Sequence, residues 1–330
     1  MTAMVAAAAK NDVPALHAAL AAYDSPGDDV AAALFVSVSS NAIDSLQVLI
    51  EHGADINVPT EGMSPLMLAI STGNVPIVKT LVDAGADIEF RSKDDHSPLL
   101  YAVFHGQAEI CRLLLDRGVQ VNHATSDKKV TALMVAAMKG FVDIIPMLIS
   151  AGALVEAATS TGKTALMSAA AEDQVSAVES LADAGAVVDA VDQNHQTALA
   201  AAAARGSAGM VQCLLRRGAQ LDVQDENGRT GLLLAAMNGH EAVVKLLVQG
   251  GAQLESRDKD DDTAVAKARR NAHHQVVQVL LDAGAVDCKS NLRTPSVKGA
   301  LAAITSGSRS IFARFPTRKE AHAADSAADP

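Results

Sequence analysis

Tryptophan is absent from the 330 residues, and Phe and Tyr together make up only 2% of them. A core built from Ala, Leu and Val brings backbones close together, which suits thin helices stacked in layers better than a large sheet-based enzyme. Cysteine is scarce as well. Cys111, Cys213 and Cys288 are odd in number and far apart, which excludes a disulfide framework and points to free thiols in a reducing compartment. Basic residues are in deficit, 27 against 38 acidic ones for a formal charge of -11, so nucleic acid is not the expected partner. No run reaches the roughly 18 apolar residues of a spanning helix, and the run from Met4 to Ala9 has no basic lead. A soluble cytoplasmic protein is expected, the nucleus being the other open compartment. What the chain does have is apolar mass, 49% of its residues, enough to bury a core and to exclude wholesale disorder.

A Ser or Thr followed by a short apolar run recurs at Ser64, Ser97, Thr131, Thr164, Thr197, Thr230 and Thr263, at intervals of 33 residues with a single 34. A Gly follows each anchor 21 residues later, from Gly85 to Gly284, a phase that chance does not keep. Each unit reads as two short helices. The anchor hydroxyl is an N-cap for the first, with Pro65 and Pro98 at positions where a missing N–H costs nothing. An Ala stands five residues after every anchor, allowing neighbouring units to pack closely, and a second Gly ends the first helix in five units. The second helix carries an apolar stripe 14, 17 and 18 residues past the anchor, as in Val78, Leu81 and Val82. Extending the phase backwards finds Leu46, Leu49 and Ile50, then Leu16, Ala19 and Leu20, for nine units of which two are degenerate.

These residues resemble the ankyrin repeat family. Ser64-Pro65-Leu66, Ala69, Gly73 and Gly85-Ala86-Asp87-Ile88 match its motif, as do Gly239-His240 and Gly251-Ala252, over about residues 30 to 285 and more weakly over 2 to 23. The resemblance implies an all-α solenoid of stacked helix-turn-helix repeats, curved, with projecting hairpin loops. It divides the chain into a degenerate N-terminal capping repeat at 1–29, an array at 30–288 and a basic C-terminal tail at 289–330, with a short helix over 297–304 and disorder beyond. The family's His after Thr-Pro-Leu is replaced throughout, by Met67, Leu100, Met134, Met167, Ala200, Leu233 and Ala266, which puts the rigidity of the loops in question. Pro146 is expected to kink or delay the second helix of its unit, while Pro14 and Pro76 sit nearer a helix start.

Chemistry is hard to find. Gly162-Lys163-Thr164 ends like a phosphate-binding loop, but Ala157 stands where that motif needs its first Gly, so Thr164 reads as an anchor. Asp258, Asp260 and Asp262 open like a calcium loop, yet Thr263 and Arg269 occupy the places of its Gly and closing Glu; a solvated acidic hairpin tip is expected, with no ion. The ten histidines show no ligand spacing, and no nucleophile has a recognisable base. No enzyme, cofactor or metal is expected.

Function is therefore sought where the repeat is free to vary. The resemblance implies partner contacts at the hairpin tips and at first-helix positions seven and eight past each anchor. Phe104, Met138 and Met237 are the large apolar residues in that row, with His105 and Lys139 beside them. Tyr101 shares a helix face with Phe104, His96 stands at the preceding tip, and Lys128 at the next. These eight residues are the candidate partner-binding set; the alternative for Tyr101, and for Phe90, is packing between units. Lysines mark the middle tips (Lys93, Lys128, Lys129, Lys163) and acids the last ones (Asp225, Glu226, Asp258, Asp260, Asp261, Asp262), a gradient that would steer a charged partner.

The expected function is a non-enzymatic adaptor, scaffold or inhibitor, monomeric, binding another protein along its concave face. The second reading is a membrane-associated adaptor, since Ile311, Phe312 and Phe315 stand among Arg309, Arg314, Arg318 and Lys319 in the tail. Thr294-Pro295 also fits a proline-directed phosphorylation site, a dipeptide common enough to occur without that role.

Overall fold

A computed structural model describes residues 2–22 and 28–286. The expected helix at 297–304, the basic-aromatic segment, Thr294-Pro295 and Cys288 lie outside the described residues.

Helices follow one another in pairs. The first are α1 (Ala3–Ala9) with α2 (Val13–Ala21), α3 (Asp28–Ser39) with α4 (Ile43–Glu51), and α5 (Pro65–Thr72) with α6 (Val75–Asp83). Then come α7 (Pro98–Phe104) with α8 (Ala108–Asp116), α9 (Ala132–Lys139) with α10 (Ile144–Ser150), and α11 (Ala165–Ala171) with α12 (Val175–Asp183). The last are α13 (Ala198–Arg205) with α14 (Ala208–Arg216), α15 (Gly231–Asn238) with α16 (Glu241–Gln249), and α17 (Ala264–Arg270) with α18 (His274–Asp282). First helices pack on first helices and second on second, giving two layers of an all-α repeat solenoid. Among the described residues there is no strand, only isolated antiparallel bridges at Thr60 and Met63 and at Ala124 and Thr131.

Every anchor works as the spacing predicts. Its hydroxyl accepts the N–H three residues on, from Ser64 to Met67 (3.3 Å) through Thr263 to Ala266 (3.4 Å), which satisfies a buried hydroxyl and a free first-turn donor together. The seven alanines five residues past the anchors are fully buried, where a larger side chain would push the first helices apart. The second-helix stripe is shifted from the expected one. The residues 13, 14 and 17 past the anchor are buried, as in Ile77, Val78 and Leu81, while most of those at 18, such as Leu115 and Leu281, are half-buried. At about 100° per residue the first three span one arc and the last stands at its edge.

Pro146 delays its helix. The other second helices of the array begin two residues after the corner, whereas α10 begins at Ile144, four residues after Gly140. A helix starting at Val142 would drive the Pro146 ring into the Val142 carbonyl; starting at Ile144 leaves Pro146 in the first turn, where no N–H is needed.

The corner between the two helices is left-handed in every pair, and in four of the nine described pairs it is not Gly. Asp173 and Ala272 take φ 59 at this place. A Cβ on Gly206 would stand 2.4 Å from the His240 ring, and one on Gly239 2.5 Å from the His273 ring. Those imidazoles reach back as N–H donors to the ends of the preceding first helices, at the carbonyls of Ala204 (3.0 Å) and Met237 (3.1 Å). Asp173 is followed one unit later by Ser207, which is small enough to leave room.

Candidate functional site

The hairpin tips are tied together without the missing histidines. Ser160 N donates to Lys128 O (2.9 Å), Gln193 N to Thr161 O (3.0 Å), Glu226 N to Asn194 O (2.9 Å) and Lys259 N to Asn227 O (2.9 Å), a backbone ladder from one tip to the next. Inside the last three tips Asp192, Asp225 and Asp258 are buried, each accepting two N–H groups of its own loop. Behind the tips runs a second ladder. Asn57, Glu89, Asn122, Glu156, Asp189, Asp222 and Glu255 each accept a backbone N–H from the following unit at 2.6 to 3.0 Å. Sequence reasoning missed this row, although its signal was there, an Asn, Asp or Glu four residues after each late Gly from Gly53 to Gly251.

One ion pair shows that helix ends and tips share a face. Arg270, seven residues past its anchor, places Nη1 2.6 Å from Asp262 Oδ2, and Asp262 immediately precedes that anchor. Phe104, Met138 and Met237 hold the same position as Arg270 in their own units, all half-buried, so each looks towards its own hairpin tip. Lys139, at the end of α9, lays its ammonium 4.8 Å from the centre of the Phe104 ring in the preceding unit, and His105 meets that ring edge-on at 5.6 Å between centroids. Partial burial first, and the Lys139 charge second, hold His105 below the ordinary histidine pKa, so its ring is neutral near pH 7. His96, half-buried at the tip, is lowered by burial too, against the pull of Asp94, Asp127 and Asp95.

Tyr101 does not belong to the exposed row. It is 5% exposed, its hydroxyl reaches Met63 Sδ at 3.7 Å across the unit boundary, and its ring lies 5.1 Å from His105. Four residues past the anchor the Tyr101 side chain points back between units and lies against His105, which in turn meets Phe104. The structure thus brings Tyr101, Phe104, His105 and Lys139 together. Lys128 is exposed at the next tip, and Met237 lies four units further along.

The acidic tip is solvated only in part, with Asp260 and Asp261 at 75% and 84% exposure. Asp258 and Asp262 are only 3% and 8% exposed, and Lys267 Nζ sits between them at 2.5 and 3.1 Å, with Asp260 at 3.2 Å. The carboxylate oxygens of these three acids converge within 4.8 Å, a cation-binding arrangement that the Lys267 ammonium fills. Burial works against that charge, but hydrogen bonds to Asp258 and Asp262 outweigh it and raise the Lys267 pKa above the ordinary lysine value. Asp225 is neutralised likewise by Arg229 at 2.7 Å. The expected negative end of the gradient is therefore largely compensated within the array.

Potential nucleophiles are muted. Burial pushes the Cys111 thiol up to about 12, and burial followed by Glu179 raises Cys213. No described helix is long and apolar enough to cross a membrane.

Three copies of a family model described as ankyrin repeats match residues 34–125, 99–192 and 199–291. The chain belongs to the ankyrin repeat family. No curated protein matches the chain. Ankyrin repeats are protein-protein interaction modules, and in this ankyrin array Phe104 and Lys139 lie together at the ends of two successive first helices.

Proposed function

We propose that this ankyrin array is a non-enzymatic adaptor whose partner protein docks across the ends of the first helices and the hairpin tips, centred on Phe104. The observation that carries the reading is the Phe104 ring, the one aromatic in a position that holds Ser71, Met138, Ala171, Ala204, Met237 and Arg270 in the other anchored units, half-buried and flanked by Lys139 and His105. A rigid aromatic held between His105 and Lys139 loses little entropy on binding, which is what a contact anchor requires. His96, Lys128 and Met138 extend the surface to either side, and Met237 marks its far end.

The test pairs stability with binding. Phe104→Ala should lower the unfolding free energy by about 1–2 kcal/mol, less than the loss of a fully buried Phe. It should weaken a partner isolated on the intact array by about thirtyfold, near 2 kcal/mol. Unchanged affinity would move the docking surface elsewhere; collapse of the fold would make Phe104 part of the core.

A further inference from the structure

We infer that His17 and His52 form a binding site for one zinc ion on the second-helix layer, a clasp between the first two units that is independent of the docking face. His17 stands on α2 and His52 caps the C-terminus of α4, and both are exposed. Their ring centroids are 5.3 Å apart, with the ring planes at 56° to each other. The two residues stand 35 positions apart in the chain, so no ligand spacing shows in the sequence and only the stacking of units brings them together.

Metal geometry sets what such a pair must look like. With about 2.05 Å from zinc to nitrogen and about 1.15 Å more to the ring centre, two imidazoles on a tetrahedral ion have centroids about 5.2 Å apart, whereas adjacent square-planar ligands bring them to about 4.5 Å. The observed separation is the tetrahedral one. The tilt falls between the parallel and edge-on arrangements that rings adopt when they only pack on each other.

His52 is held as a zinc ligand is held. Its Nδ1 lies 2.8 Å from the Val48 carbonyl oxygen, which can only accept, so Nδ1 carries the proton and Nε2 keeps the lone pair that a metal needs. The two helices are fixed as well. Leu16, next to His17, is fully buried, and α2 packs on α4. Asn11, in the corner ahead of α2, accepts the Ser45 N–H at 2.8 Å and donates to Asp44 at 2.8 Å, which ties that corner to the first turn of α4. Binding therefore has mainly the His17 ring to order. Among the described residues the one set of three or more converging ligand groups is Asp258, Asp260 and Asp262, so no third side chain completes the histidine pair and water takes the remaining positions. That acidic set already surrounds the Lys267 ammonium and does not compete for the ion.

The experiment uses the full chain, stripped of metal by chelation, with zinc chloride as the probe. Titration calorimetry is expected to show one saturable site, and NMR should show the ring resonances of His17 and His52 moving together as it fills. His17→Gln and His52→Gln should each weaken binding at least tenfold, and combining them should add little, because either alone already breaks the pair. Both residues are exposed, so zinc-free melts of the variants should match that of the original chain. Zinc should protect the α2 amides from hydrogen exchange in the original chain and not in the variants. His195→Gln, at an exposed hairpin tip, should change nothing, and magnesium chloride should not bind. No saturable binding, movement of one ring alone, or affinity that survives both histidine variants overturns the inference. Loss of zinc on Asp260→Asn instead would assign the ion to the acidic tip and overturn it as well.

Discussion

Arg270 and Asp262, eight residues apart, close a 2.6 Å ion pair between the last turn of α17 and the hairpin tip before it. The same stretch holds Lys267 between the buried Asp258 and Asp262, so the final unit carries its own counter-charges. Such a local network adds to what the unit gains by stacking on its neighbour.

Replacing Lys267 by Met should therefore strand the buried Asp258 carboxylate, while Asp262 keeps Arg270. The expected loss is about 3 kcal/mol, confined at first to the last unit. Hydrogen exchange should show the amides of Val276 and Leu280 losing protection while those of Leu166 and Leu199 keep theirs. Uniform loss across the array would mean that the last unit does not open independently.

The corner residues make opposite predictions at two equivalent places. Gly206→Ala forces a side chain into a left-handed backbone and against His240, and should cost about 2 kcal/mol. Ala272→Gly relieves φ 59 at an exposed corner with no ring packed on it among the described residues, and should be neutral or stabilising by up to about 1 kcal/mol. Thermal melts of the two variants decide the point, and equal destabilisation would show that the following side chain is irrelevant.

Acid should loosen the unit around Phe104. Burial lowers both His96 and His105 below the ordinary 6.5, so between that value and their folded values the unfolded chain takes up protons that the folded chain refuses. The stability contribution is complete above about pH 7 and is lost as pH falls through this window. His96→Gln/His105→Gln should flatten the melting temperature against pH there. Imidazole titrations by NMR should also show Lys139→Met raising the His105 pKa part of the way, since burial remains.

Pro146→Ala removes the obstacle to an earlier start of α10. Backbone chemical shifts should then show Val142 and Asp143 turning helical, as the equivalent residues are in α8 and α12. Shifts that stay unchanged would assign the late start to packing instead of the ring.

The repeat frame, the caps and the buried alanines were legible in the sequence because each is local. An anchor hydroxyl three residues from its N–H partner, or an Ala at a fixed phase, needs only helix geometry and one neighbour of the same kind. Pro146 could be read for the same reason. The ladder of Asn57 to Glu255 was equally periodic, but its acceptors and donors lie about 31 residues apart, and no local rule pairs them.

What the tertiary structure alone decided is which charges and rings remain available. Tyr101 and Phe104 are three residues apart on one short helix, and sequence placed both on a binding face; stacking on Met63 buries the first and leaves the second half-open. Asp258 and Asp262 read as solvated acids until Lys267, on the following helix, was folded between them. Exposure and compensation depend on the neighbouring unit, and a single unit's sequence does not say how its neighbour fills the space above it.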